Sequence, residues 1–146
     1  QQFMKEQDKD SVNLRNLKRD IKFLLSFKKL KFKNVKEDTK RTFVDIFTGN
    51  SKVYIRTLNL QFQQISHDYS LTYLIDKVLG KTSCEAIKTI LQYSINQSEY
   101  FAKKIYDLGS KNWKKHEQEI SFILITRSEI DLYSIQLAFN DNLYAD

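Results

Sequence analysis

Apolar residues recur three and four positions apart through most of the chain, as in Leu14, Leu17, Ile21, Leu24 and Leu25, and again in Ile55, Leu58, Phe62 and Ile65. That spacing gathers them on one stripe of a 3.6-residue helix and leaves the other face polar. Helices of this kind bury their stripes on a shared core. The pattern is interrupted by small and polar groups at Thr48-Gly49-Asn50-Ser51, Ser66-His67-Asp68, Gly80-Lys81-Thr82-Ser83, Asn96-Gln97-Ser98 and Gly109-Ser110. Such clusters end helices, and Ser51, Asp68, Ser83 and Ser128 are placed to cap the next helix in each case. Cutting there predicts helices over about 14–30, 39–48, 52–65, 69–79, 83–95, 97–109, 117–126 and 129–140.

The elements then start again. Phe43 to Phe62 laid over Ile120 to Phe139 pairs Ile46 with Ile123, Ser51 with Ser128, Leu60 with Leu137 and Phe62 with Phe139, each 77 positions apart. Both segments read as an apolar helix, a turn containing serine, and a second helix. A fixed offset of this size suggests tandem helical repeats, each too small to bury its face alone.

Composition reinforces an all-α reading, with no proline, 3 glycines and 41% hydrophobic residues in 146. No apolar run approaches the ~20 residues that span a bilayer, and no charged-then-apolar leader opens the chain, so a soluble protein is expected. The single cysteine, Cys84, has no internal disulfide partner, which fits a reducing cytoplasmic setting.

The 24 basic and 18 acidic residues give a net charge of +6, which favours anionic partners. Seven basic side chains fall between Lys28 and Arg41, among them Lys31, Lys33 and Lys36. A second cluster, Lys111, Lys114 and Lys115, surrounds the only tryptophan, Trp113. The plain alternative for each cluster is a solvated basic face.

Candidate catalytic chemistry is thin. Ser66, His67 and Asp68 are adjacent on a predicted turn, so they point in different directions and do not make a triad. Neither His67 nor His116 has a second ligand at metal spacing, and no Gly-rich phosphate loop occurs. Phe23, Phe27, Phe43, Phe47, Phe62, Phe101, Phe122 and Phe139 fall on helical core positions, which makes them packing residues rather than a nucleic-acid stacking platform. Neither enzymatic activity nor nucleic-acid binding is expected.

One family resemblance emerges. Tyr100-Phe101-Ala102-Lys103-Lys104, followed by Arg127-Ser128-Glu129-Ile130-Asp131-Leu132, resembles the opening helix and the second-to-third-helix turn of a fourth annexin repeat. Asp10-Ser11-Val12-Asn13, then Asp20, resembles the linker between second and third repeats, and Phe43 to Ser51 resembles the second helix of the third. The resemblance implies tandem five-helix annexin-type repeats in a right-handed superhelical arrangement. Residues 1–13 would end one repeat and its linker, 14–95 would form the next, and 96–146 would form part of a further one. An incomplete last repeat would expose apolar faces on Ile123, Ile135 and Phe139 unless the rest of an annexin core, or a partner, covers them. Within RSEIDL, Arg127 is placed to neutralise the negative end of its helix, Ser128 to cap the next, and Asp131, in the first turn of that helix, to reach Arg127.

Annexins bind calcium through Gly-x-Gly-Thr loops between their first two helices and an acidic residue about 40 positions later. Calcium takes six to eight hard oxygens, and glycine lets backbone carbonyls turn inward toward it. Here the matching positions are Asn112-Trp113-Lys114-Lys115 in one repeat and Val35-Lys36-Glu37-Asp38 in the other. Both lack the glycines, and lysine intrudes. Lys77 stands where the distant carboxylate belongs, with Asp76 beside it. The metal sites are therefore read as lost, leaving Glu37, Asp38 and Asp76 as degenerate positions that a weaker, rearranged site would have to use.

The expected function is a calcium-independent peripheral membrane-binding or scaffold module. It would contact acidic phospholipid through Lys31, Lys33, Lys36, Lys111, Trp113, Lys114 and Lys115, tryptophan favouring the headgroup boundary and lysines the anionic leaflet. The alternative is a structural protein of the same fold that binds a cytoskeletal or other protein partner, with no lipid role. Either places it in the cytoplasm, at membranes or cytoskeleton.

Overall fold

The computed structural model describes residues 11–143, and among these every regular element is an α-helix. The chain divides into two compact units, Gln1–Ile95 and Asn96–Asp146.

Among the described residues unit 1 contains five helices: α1 (Leu14–Lys29), α2 (Glu37–Thr48), α3 (Lys52–Ile65), α4 (Leu71–Val78) and α5 (Lys81–Ile95). Each contributes one apolar stripe to a single core. Leu24 and Phe27 from α1, Phe43 and Phe47 from α2, Leu58 and Phe62 from α3, and Leu74 and Ile75 from α4 are essentially water-free. Fully burying one such side chain is worth roughly 1.5–3 kcal/mol, so these stripes dominate the stability of the unit. The ring of Phe27 meets those of Phe23 and Phe43 edge-on at 5.2 and 5.6 Å.

The caps explain where the helices begin. Asn13 accepts from the backbone N–H groups of Arg15 and Asn16, Ser51 from Tyr54, and Ser70 from Tyr73. Ser51 therefore caps as its sequence position suggests, whereas Asp68 and Ser83 do not: Ser70 starts α4, and Ser83 lies inside α5. Asp68 instead pairs with Lys28 across the unit.

Unit 2 pairs α6 (Gln97–Arg127) with α7 (Leu132–Leu143). The break expected at Gly109-Ser110 does not occur. Helix runs through it and is interrupted at one residue, Asn112, whose extended backbone (φ −169°, ψ 97°) kinks α6. Asn112 caps the resumed helix, its side-chain oxygen accepting from Lys115 N–H at 3.2 Å. Asparagine is among the strongest N-caps, so a single residue restarts the helix where a longer loop was anticipated. The core of this unit is small, with Ala102, Ile120, Ile123 and Ile135 buried.

The 77-residue offset holds for burial in part. Phe43 and Ile120, Ile46 and Ile123, and Leu58 and Ile135 are buried pairs, and Leu60 and Leu137 are both exposed. It fails elsewhere: Phe47 is buried while Leu124 is 38% exposed, and α7 opens at Leu132, three positions later than α3 would place it.

Candidate anionic-surface site

Two clusters of unneutralised cations stand out, one in each unit. In unit 1 the C-terminus of α1 is closed by lysine where glycine is usual. Lys31 N–H bonds to Lys28 O at 3.2 Å and Phe32 N–H to Phe27 O at 3.5 Å, the paired pattern of a Schellman cap. Lys31, Phe32 and Asn34 all adopt positive φ (49°, 56° and 54°), a region that favours glycine. Tertiary contact holds this conformation: the Phe32 ring packs edge-on against Tyr69 and Tyr73 at 5.6 and 5.8 Å. Pinned this way, the loop presents Lys31, Lys33 and Lys36 to water.

Lys36 is the N-cap of α2, so Glu37 and Asp38, expected in a loop, form the first helical turn. Carboxylates are favoured there by the positive end of the helix dipole. Glu37 pairs with Lys40 at 3.0 Å. Asp76, on the last turn of α4, is also engaged, accepting from Lys88 at 2.5 Å and from the Cys84 thiol at 2.9 Å. Hydrogen bonds from Cys84 and Lys88 hold the Asp76 carboxyl below its ordinary value, while burial pushes the Cys84 thiol up.

In unit 2 the kink at Asn112 places Trp113 on the first turn of the restarted helix. Its indole leans on Gly109: a Cβ added to that glycine would lie 3.3 Å from the ring. The other side of the ring faces water, leaving Trp113 53% exposed. Lys111, Lys114 and Lys115 flank it in sequence and are exposed. Among the described residues no ion pair engages these three lysines or Lys31, Lys33 and Lys36. Glu119, on the restarted helix, is shared between Lys104 at 3.7 Å and His116 at 3.9 Å.

The turn at 127–131 departs from the expectation in its caps. Arg127 ends α6 and reaches Asp131 through two hydrogen bonds, Nε to Oδ1 at 2.7 Å and the second guanidinium N–H to Oδ2 at 2.8 Å. Asp131 precedes α7 rather than lying within it, and also accepts from Gln97 at 3.4 Å. Ser128 does not cap α7. It is the helical C-cap of α6, its hydroxyl donating back to Ile125 O at 2.8 Å. The Phe101 ring lies 4.7 Å beneath the guanidinium, so Arg127 knits both halves of α6 to the turn.

The uncovered apolar face also differs from the expected one. Ile123 and Ile135 are buried at 5% and 2% exposure, and Phe139 is half-buried against Tyr106. The residues left in water are Phe122, Ile125, Ile130 and Tyr133, each about 70% exposed, with Leu137 less so. Sequence spacing placed Phe122 in the core, but it stands one position from Ile123, on the outer face of α6.

Charge is divided between the units. Gln1–Ile95 holds 18 basic and 10 acidic residues, and the remainder holds 6 and 8, so unit 1 is strongly cationic while the basic tip of unit 2 stands on an otherwise acidic body. No helix among the described residues is long and apolar enough to cross a membrane. The chain matches no protein-family model, no curated protein and no solved structure.

Proposed function

We propose that the chain is an annexin-like module that binds acidic phospholipid surfaces peripherally and without calcium. The Trp113 tip would insert at the headgroup level, with Lys111, Lys114 and Lys115 against the anionic leaflet, and Lys31, Lys33 and Lys36 would provide a second basic contact. The observation that carries this reading is an indole held half in water beside three exposed, unneutralised ammonium groups. Tryptophan is costly to leave in water and well accommodated at a membrane interface, and each lysine near an anionic surface adds about 1 kcal/mol. No cofactor enters this reading, because the annexin calcium positions lack glycine and carry Lys36, Lys77, Lys114 and Lys115, while Glu37, Asp38 and Asp76 are drawn into a helix start or lysine pairs.

Co-sedimentation with phosphatidylserine vesicles, with calcium and with chelator, tests it. Binding should be indifferent to calcium, fall with salt, and drop in Trp113→Ala and Lys114→Glu. Metal-dependent binding would contradict the loop chemistry.

A second reading has its own support. The apolar face of Phe122, Ile125, Ile130 and Tyr133 suits a protein partner, such as a cytoskeletal protein or the rest of an annexin core. Absence of vesicle binding under every condition would favour that scaffold role.

A further inference from the structure

Unit 1 carries a groove of about 560 Å³ between α1 and α3. Leu17 and Ile21 form a buried floor, while Leu14 and Ile65 also line the groove yet remain 67% and 52% exposed. An apolar occupant would therefore cover surface that folding leaves wet. The groove is also charged along its length. Lys18, Lys22 and Lys29 line it, spread over roughly 16 Å of helix axis. No acidic side chain lines it, and none of these lysines is in an ion pair among the described residues.

We propose that this groove receives an acidic amphipathic α-helix of a partner protein, with its apolar stripe on Leu14, Ile21 and Ile65 and its carboxylates against Lys18, Lys22 and Lys29. The distribution of charge selects a helix over a lipid. A fatty acid or lysophospholipid concentrates its charge at one end, whereas these ammonium groups are strung out along the groove. A helix with carboxylates three and four residues apart, flanking an i, i+3, i+4, i+7 apolar stripe, matches that spacing. On the α3 wall Gln61 supplies a neutral hydrogen-bonding group, Thr57 is already bonded to Val53 O at 2.8 Å, and neither adds a competing anion.

The test uses the full chain and a fluorescein-labelled synthetic four-turn helix with a leucine stripe flanked by glutamates, followed by anisotropy. A control peptide carries lysine at every glutamate position. The glutamate peptide should bind about tenfold more tightly than the control, weaken as salt rises, and lose about tenfold in Lys22→Glu and in Thr57→Trp, which fills the groove. Circular dichroism checks that each variant is folded, and Lys18→Gln with Lys29→Gln replaces any that is not. Equal binding of the two peptides, or undiminished binding to folded variants, overturns the proposal. So does a result in which Lys22→Glu abolishes phosphatidylserine vesicle binding while neither peptide binds the unaltered chain.

Discussion

Replacing Arg127 with methionine should loosen unit 2 selectively. Methionine keeps much of the aliphatic bulk over Phe101 but removes both hydrogen bonds to Asp131 and the cation above the ring. The two side chains are only 13% and 16% exposed, so the abandoned carboxylate keeps limited access to water. Breaking a fully buried ion pair costs about 3–5 kcal/mol. The residual exposure lowers the expectation to about 2–3 kcal/mol, since water relieves part of the desolvation. That is a large fraction of what a core of Ala102, Ile120, Ile123 and Ile135 supplies, because each fully buried aliphatic chain contributes roughly 1.5–3 kcal/mol. The only tryptophan lies in this unit, so urea unfolding followed by Trp113 fluorescence reports on it directly. The midpoint should fall markedly in Arg127→Met. The double variant with Asp131→Asn should be less destabilised than the two single changes added, by about 1–2 kcal/mol. A single-variant loss below about 0.5 kcal/mol, or strict additivity, would refute the claim that this pair holds the turn together.

Three further outcomes are expected. Tyr54 donates to the buried Asp20 carboxylate at 2.5 Å, so Tyr54→Phe should cost about 1–3 kcal/mol in chemical denaturation of unit 1, by leaving that carboxylate with Arg19 alone at 3.1 Å. Burial first, and then the Asp20 acceptor, raise the Tyr54 phenol above its ordinary value, and burial raises that of Tyr69. Both phenols therefore stabilise the fold fully below about pH 10, and that contribution is lost as pH rises beyond it, so a 295 nm phenolate titration should lose its latest-ionising components in Tyr54→Phe and Tyr69→Phe. Lys31→Gly should raise the stability of unit 1 by about 0.5–1 kcal/mol in urea, because glycine adopts the positive φ at this cap without steric cost.

Much of unit 1 is legible in the sequence because its signals are local. The stripes of α1 and α3, and the serine before α3, each belong to one helix and one turn, and the structure keeps them there. Helix boundaries were less accessible where several capping residues compete: Ser70 lies two positions from Asp68, and the cap falls to Ser70 while Asp68 pairs with Lys28. In unit 2 a glycine and serine at 109–110 mimic a break, yet the Trp113 ring packs over Gly109 and helix continues to Asn112. The cation clusters were readable as composition, but the Schellman cap that displays Lys31 depends on Phe32 finding Tyr69 and Tyr73 nearly forty residues away. The groove between α1 and α3 had no signature in sequence, because Lys18, Lys22 and Lys29 read as an ordinary solvated face until α3 supplies the opposite wall.

Trp113 emission provides the most direct test of membrane contact, because the chain contains no other indole. On adding phosphatidylserine vesicles in the presence of chelator, the emission should shift to the blue and be quenched by lipids brominated near the headgroup. Neither change should occur with phosphatidylcholine vesicles, and calcium should leave both unaltered. An emission maximum that stays at its solution position on anionic vesicles, or moves only when calcium is supplied, would contradict the account.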